Sequence, residues 1–334
     1  AAMSSSALRF SPHAFPKAFS GPSSSSDTSN IVDLAYVETL GTLGSNSLDS
    51  SSAAAPTTLL IHGLDSSSHT WRVVQQSLST PSVAIDCRGC GRSALGDPKL
   101  FSPEAIVHDV KKLVDCHPLL KDRKFVLVGH SMGGRVGMCY TATYPDDVSA
   151  LVVEDMDARR RSVSSNFIPD FDIQKAIAFD RLHDSLDSVR KAFADIGYPA
   201  DMLEKWIGEG RIYEAIIDDE TTERAEGSKL HWSDVNPAFR ALCYETIFDS
   251  NCGTESWETI ADYLKKSGPN SIDIHLMIAG IGTVCDDASV DDMRQAMGDG
   301  LTVKKYPQGT HSIHNSVREE FMSDLERVIK EASK

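Results

Sequence analysis

Between residues 31 and 157, short apolar runs alternate with stretches of helical spacing. The runs Leu34–Leu40, Thr57–Ile61, Ser82–Ile85, Phe125–Val128 and Val148–Val153 each predict a strand, being brief and rich in β-branched or bulky apolar residues. Ser45–Pro56, dominated by Ser and Ala, predicts a loop. Ser68–Leu78, Pro103–Cys116 and Arg135–Thr143 predict helices. In the second, Ile106, Val110, Leu113 and Val114 recur at a spacing that puts them on one face. The third stops before Pro145, as a helix must when the next N–H is missing. Strands alternating with helices define βαβ units and a parallel sheet flanked by helices.

At about residue 158 the pattern changes. Through about 250 the chain is acidic, with helical spacing at Val189–Phe193, Met202–Ile207, Ile212–Ile217 and Ala238–Phe248 and little strand signal. The alternation then returns as helix Thr254–Lys266, strand Ile272–Ile278, helix Val290–Met297, strand Leu301–Tyr306 and helix Val317–Glu331. No internal repeat is visible. The expected organisation is one α/β core, residues 31–157 and 251–334, interrupted by a helical cap at 158–250.

Composition narrows what such a chain does. The sequence is 41% apolar, enough for a sizeable core, and no run approaches the ~20 apolar residues of a membrane helix. Its 48 acids and 33 bases give a net charge of −15, which repels phosphate backbones and argues against nucleic-acid partners. Within the cap, residues 201–226 carry nine acids against three bases, a stretch expected to face water. Seven cysteines are too few for a disulfide scaffold, so a reducing compartment is expected. Residues 1–30 hold ten serines, two bases (Arg9, Lys17) and one acid (Asp27), with no apolar segment. That composition fits a transit peptide to mitochondrion or plastid, or else a disordered leader on a cytoplasmic protein, and these residues are set aside from the fold.

The chemistry concentrates in Gly129-His130-Ser131-Met132-Gly133, placed between a predicted strand and a predicted helix. A G-x-S-x-G sequence in that context makes a sharp turn that presents the Ser hydroxyl at a helix N-terminus, where partial positive charge favours a developing anion. Serine needs a base to become a nucleophile. His311, in Gly309-Thr310-His311 after the last strand, is the candidate, with His314 as competitor. His62-Gly63-Leu64 follows an early strand, and the N–H groups of Leu64 and Met132 are the expected oxyanion-hole donors. His62 is expected to orient that loop. Cys87-Arg88-Gly89-Cys90 has redox or zinc-binding spacing, but lacks a second cysteine pair. No cofactor or metal is expected. Arg159-Arg160-Arg161 reads as a solvated linker, with contact to an anionic substrate as the alternative, and Trp206 and Trp232 read as either pocket or core.

These segments, in this order, resemble the α/β-hydrolase superfamily: His62-Gly63-Leu64 with Trp71, Asp86-Cys87-Arg88-Gly89-Cys90-Gly91-Arg92-Ser93, Gly129–Gly134 and Gly309-Thr310-His311. Val153-Glu154-Asp155 and His231–Asn236 are similar to segments of the small bacterial esterases of the YbfF type and their mitochondrial abhydrolase relatives. The resemblance covers about 31–334 and is weakest across 158–228. It implies a serine hydrolase acting on small to medium acyl esters or thioesters through a Ser-His-Asp triad and an acyl-enzyme. Its usual acid follows the strand Ile272–Ile278, where Asp286 and Asp287 lie, although the loop length puts that position nearer Thr283. In the YbfF-like branch the acid follows the earlier strand, which here means Asp155. Asp155 is the preferred acid, Asp286 or Asp287 the alternative, and Asp157 a further candidate. A carbon–carbon bond hydrolase or lyase on the same residues, and a hydrolase-like ligand-binding protein with little turnover, are the rival readings.

Overall fold

The computed structural model describes residues 9–10, 31–41, 56–162, 168–215, 230–268 and 271–333. The leader apart from Arg9–Phe10, almost all of the Ser45–Pro56 loop, and the acidic residues 218–226 lie outside the described residues. In chain order the elements are β1 (Arg9–Phe10), β2 (Tyr36–Thr39), β3 (Thr58–Ile61), α1 (Arg72–Ser77), β4 (Ser82–Ile85), α2 (Pro103–Cys116), β5 (Phe125–His130), α3 (Met132–Thr143) and β6 (Val148–Glu154). The interrupting segment holds α4 (Ile173–Ile177), β7 (Leu182–His183), α5 (Leu186–Ile196), α6 (Ala200–Gly208), β8 (Ile212–Ala215), β9 (Leu230–Ser233) and α7 (Pro237–Cys243). The remainder is α8 (Cys252–Ser267), β10 (Asp273–Ile281), α9 (Asp287–Met297), β11 (Leu301–Thr310), α10 (Ile313–Ser316) and α11 (Arg318–Glu331).

Eight strands form one sheet in the order β1-β2-β4-β3-β5-β6-β10-β11. The last six of that order are parallel, and β1 and β2 pair antiparallel at one edge. Arg9 and Phe10, set aside with the leader, thus supply an edge strand. The central strands β3 and β5 are buried at every residue, as strands covered on both faces must be. Alternate side chains go to opposite layers. Leu59, Ile61 and Leu127 pack with α2, α3 and α8, while Leu60, Val126 and Val128 pack with Trp71 and the α11 residues Phe321 and Leu325. After β3 the chain winds outward to β4, and β5 returns on the other side of β3. The crevice beyond the carboxyl ends of β3 and β5 is therefore a topological switch point, the place where open α/β sheets hold their ligands.

The cap departs from the helical expectation. Of Ile212–Ile217, predicted as a helix, the described residues Ile212–Ala215 form β8, and β7, β9 and β8 make a small antiparallel sheet. A short apolar run is ambiguous by periodicity alone. Here Tyr213 pairs across from Trp232 and Glu214 from His231, and these cross-strand partners settle the conformation. The cap has its own core, in which Trp206 packs 5.6 Å from Phe193 and 5.5 Å from Tyr198, ring centre to ring centre. Trp232 is buried and donates its indole N–H to Gly91 O at 3.1 Å, tying the cap sheet to the loop after β4. Asn236 Nδ2 binds Gly89 O at 2.9 Å in the same loop. Ala238–Phe248, predicted as one helix, is α7 followed by a π-helical turn at Tyr244–Phe248. Within the acidic stretch, Asp201, Glu204, Glu209 and Glu214 are exposed. No helix among the described residues is long and apolar enough to cross a membrane.

Candidate active site

Ser131 sits between β5 and α3 with φ 53° and ψ −123°, a conformation that non-glycine residues avoid. Two glycines permit the turn. A Cβ on Gly129 would lie 2.2 Å from Gly133 O, and one on Gly133 would lie 2.4 Å from Ile61 O. Ser131 N donates to Glu154 O at 2.8 Å, so the turn is pinned to the end of β6, where His130 and Glu154 are in register. The next residue along β6, Asp155, is held in turn by its own N–H on Met277 O at 2.8 Å.

These constraints bring three predicted side chains together. Ser131 Oγ lies 2.9 Å from His311 Nε2, and His311 Nδ1 lies 2.7 Å from Asp155 Oδ2. Asp155 is fully buried and accepts three further bonds, from Ala279 N (3.0 Å), Thr283 Oγ1 (2.5 Å) and Val284 N (3.2 Å). Burial opposes its ionisation, but the bonds from His311, Thr283 and Ala279 outweigh that effect and hold the carboxyl below its usual range. A carboxylate beside Nδ1 fixes the proton there and leaves Nε2 free to accept from the serine hydroxyl. His311 is further held from its own backbone, because His130 Nε2 donates to His311 O at 3.0 Å. Burial pushes the His130 pKa down to about 3, so the ring acts as a neutral donor.

The other candidates are engaged elsewhere. Asp286 caps α9 by accepting from Ser289 N at 2.6 Å and pairs with Arg159, with its side chain 70% exposed. Asp287 is exposed in the first turn of α9. Asp157 lies between Arg135 and Arg161. His314 is wholly buried, with Nδ1 2.8 Å from both Glu154 carboxylate oxygens, Nε2 2.8 Å from Thr70 Oγ1, and its ring 4.3 Å from that of Trp71. Sequence reasoning missed the Glu154–His314 pair. Its signal was a glutamate at the end of an apolar run, a position that demands a buried partner.

Leu64 lies on the turn after β3, and a Cβ on Gly63 would approach Ser131 Cβ to 3.0 Å, so this loop runs directly past the serine. Met132 is the first residue of α3, where an N–H has no carbonyl one turn earlier to bind. Beside the loop, His62 donates from Nδ1 to Gly63 O (2.7 Å) and accepts from Cys87 N at Nε2 (3.1 Å). Burial holds its pKa down to about 4, so it is neutral and structural in its contacts. Cys87 and Cys90 are free thiols, buried, with pKa values raised by that burial, the opposite of a reactive pair. Among the described residues no three His, Cys, Asp or Glu side chains are grouped to hold a metal ion.

Ser131 and His311 open onto a cavity of about 360 Å³. Leu64, Met156, Tyr244 and Phe248 line it, together with Arg161 and Arg240. A second cavity of about 310 Å³, walled by Arg72, Gln75 and Asp234 among others, shares no wall residue with it. Neither Trp206 nor Trp232 lines the cavity at Ser131.

A serine on a strained strand-to-helix turn, at the switch point of a mostly parallel sheet, with a histidine in reach from the last strand, defines an α/β hydrolase. The chain belongs to the alpha/beta hydrolase family, which it matches over residues 58–324. It is 35% identical over 103 residues to a Bacillus subtilis protein assigned as a 2-succinyl-6-hydroxy-2,4-cyclohexadiene-1-carboxylate synthase, covering 30% of this chain and 36% of that one. It is 32% identical over 103 residues to esterase Rv0045c of Mycobacterium tuberculosis, 31% of this chain and 34% of that one. These matches thus span about a third of each relative's length. In fold it is similar to a marine microorganism esterase, with a TM-score of 0.58 at 16% identity, over 89% of this chain and 99% of that one.

Proposed function

We propose that this protein is a serine hydrolase that cleaves small to medium acyl esters or thioesters through an acyl-enzyme. One observation carries the reading: the unbroken contact chain from Ser131 Oγ through His311 to the buried Asp155, at 2.9 and 2.7 Å. In the proposed mechanism His311 Nε2 takes the Ser131 proton as Oγ attacks the acyl carbonyl. Asp155 keeps the imidazole in the productive tautomer and stabilises the imidazolium. The Leu64 and Met132 N–H groups receive the oxyanion, which forms only in the transition state. The imidazolium then protonates the leaving alcohol or thiol, and water attacks the acyl-enzyme with His311 as base. The cavity of about 360 Å³ supports an acyl group of modest size. The placement of the acid after β6 supports the YbfF-like branch.

Ser131→Ala tests the reading. It is expected to abolish fluorophosphonate labelling and the turnover of 4-nitrophenyl acetate and butyrate. A variant that retains both refutes it. The similarity to the Bacillus synthase favours a second reading, a carbon–carbon bond hydrolase or lyase on the same three residues. That reading requires cleavage of a vinylogous diketone to exceed ester hydrolysis.

A further inference from the structure

The three consecutive arginines at the start of the cap do not behave alike. Arg159 turns outward to Asp292 (2.8 Å) and Asp286 (3.2 Å), and Arg160 to Asp249 (2.8 Å). Arg161 turns inward. Its backbone N–H is fixed on Phe248 O at 2.7 Å, and the residue lines the cavity that contains Ser131. Nη2 carries both of its anchoring bonds, to Asp157 Oδ2 (2.8 Å) and Val284 O (2.6 Å). Nε is buried with no acceptor, and Nη1 has no partner among the described residues. An N–H without an acceptor is unfavourable, and Nη1, which is not among the buried atoms, is the one open to a ligand.

The charge around it is unbalanced in the same sense. Asp157, which neutralises Arg161 on one side, also faces the fully buried Arg135 at 3.5 Å, so one carboxylate serves two guanidinium groups. Asp286, also within electrostatic reach, is exposed and paired with Arg159. The second arginine of the wall, Arg240, is already matched by Asp65. Asp155, Asp157 and Asp65 all stand behind the lining. In a chain with 48 acids and 33 bases, the described residues of this cavity's wall include two arginines and no acid. Surface acids farther off than the Debye length, about 8 Å at physiological salt, are screened, so the wall sets the preference.

We infer that Arg161 is a specificity-determining residue and that the acyl group of the substrate carries a carboxylate, received by Nη1 of its guanidinium. This rests on the hydrolase reading above and names its substrate class. Planar guanidinium groups are suited to such an anion, and desolvation in a closed pocket strengthens the bond. The apolar side of the wall, Leu64, Met156 and Phe248, then holds the methylene chain between the carboxylate and the ester.

The test compares methyl hydrogen succinate with methyl butyrate by pH-stat, on the wild type, Arg161→Gln and Arg161→Lys. The wild type is expected to favour the succinate monoester in kcat/KM. Arg161→Gln is expected to reduce that preference about 10- to 100-fold, chiefly through KM, the range set by a hydrogen bond to a charged group. Arg161→Lys retains the charge and is expected to keep most of the preference, which separates lost recognition from misfolding. Calorimetric binding of both esters to the Ser131→Ala protein reads the same preference without turnover. Ser131-dependent turnover that favours methyl butyrate equally in wild type and Arg161→Gln overturns the inference and leaves the hydrolase reading intact. Absence of turnover and of labelling at Ser131 removes the hydrolase reading, and the binding data then decide the arginine's role alone.

Discussion

Thr283 donates a 2.5 Å hydrogen bond to Asp155 Oδ1, and in doing so it occupies the loop position where the wider superfamily resemblance places an acid. The strand ends of β6 and β10 therefore converge on one carboxylate, supplied from β6 and bonded from the β10 loop. If Asp155 orients His311, Asp155→Ala is expected to lower kcat/KM by about 10⁴-fold, the size of effect seen when a base loses its tautomer control. Adding Thr283→Asp to that variant returns a carboxylate to the same pocket, and at least about tenfold recovery is expected. Steady-state hydrolysis of 4-nitrophenyl butyrate measures both. A double variant no better than Asp155→Ala shows that position 283 cannot reach His311.

The Ser131 backbone stores strain. At φ 53° a side chain costs roughly 1–3 kcal/mol, and glycine does not meet that penalty. Ser131→Gly is expected to be more stable than Ser131→Ala by about 1 kcal/mol, after allowance for glycine's greater freedom in the unfolded chain. Urea denaturation of the two inactive variants decides it, and equal midpoints contradict the strain.

Asp234 predicts a pH dependence of stability. Burial, helped by the neighbouring Asp86, raises its pKa to about 6. Between roughly pH 4 and 6 the folded chain holds a proton that the unfolded chain, with a pKa near 3.9, has released. Stability from this group is thus fully present below about pH 4 and lost as pH rises through 6. Asp234→Asn keeps an acceptor for Tyr213, whose hydroxyl lies 3.1 Å from Oδ1, and removes the charge. It is expected to stabilise the protein by about 2 kcal/mol at pH 7 and by little at pH 4. Denaturation midpoints that shift equally at the two pH values refute the assignment.

Asp65 joins cap to core. It pairs with Arg240 and accepts the Tyr198 hydroxyl at 2.8 Å, and both carboxylate and guanidinium are almost wholly shielded from water. Removing one partner of a buried pair strands the other, typically at about 3–5 kcal/mol. Asp65→Asn is expected to speed amide exchange across residues 168–208 while β5 and β6 stay protected. The double variant Asp65→Asn, Arg240→Met is expected to be less destabilised than Asp65→Asn alone. Exchange that rises equally in cap and core contradicts a local clamp.

The core was legible because its strands are continuous apolar runs whose burial admits one reading, and because Gly129–Gly133 has few structural meanings between a strand and a helix. The contacts of Ser131 with His311, and of His311 with Asp155, lay in the predicted set. What stayed hidden depends on partners distant in sequence. Ile212–Ala215 becomes a strand only because Leu230–Ser233 lies beside it. Ser68–Trp71 tightens to a 3-10 turn ahead of α1, with Trp71 wholly buried in the core. Arg161 cannot be told from Arg159 and Arg160 by composition, since only the carbonyl of Val284 and the carboxylate of Asp157 turn it inward. Thr283 is visible as a side chain but not as a donor until the end of β6 is brought beside it.

One of the cap's attachment points has a mechanical meaning. Arg240, Tyr198 and Arg211 all bind Asp65, the residue immediately after Leu64. Ser131, Asp155 and His311 directly follow β5, β6 and β11, which the cap does not grip through these bonds. If the cap lifts, its pull through these bonds reaches the turn that carries the Leu64 amide, while Ser131 and His311 are not held by them. In that case the Leu64 amide, proposed above as an oxyanion donor, is coupled to the cap through Asp65, and Ser131 is not.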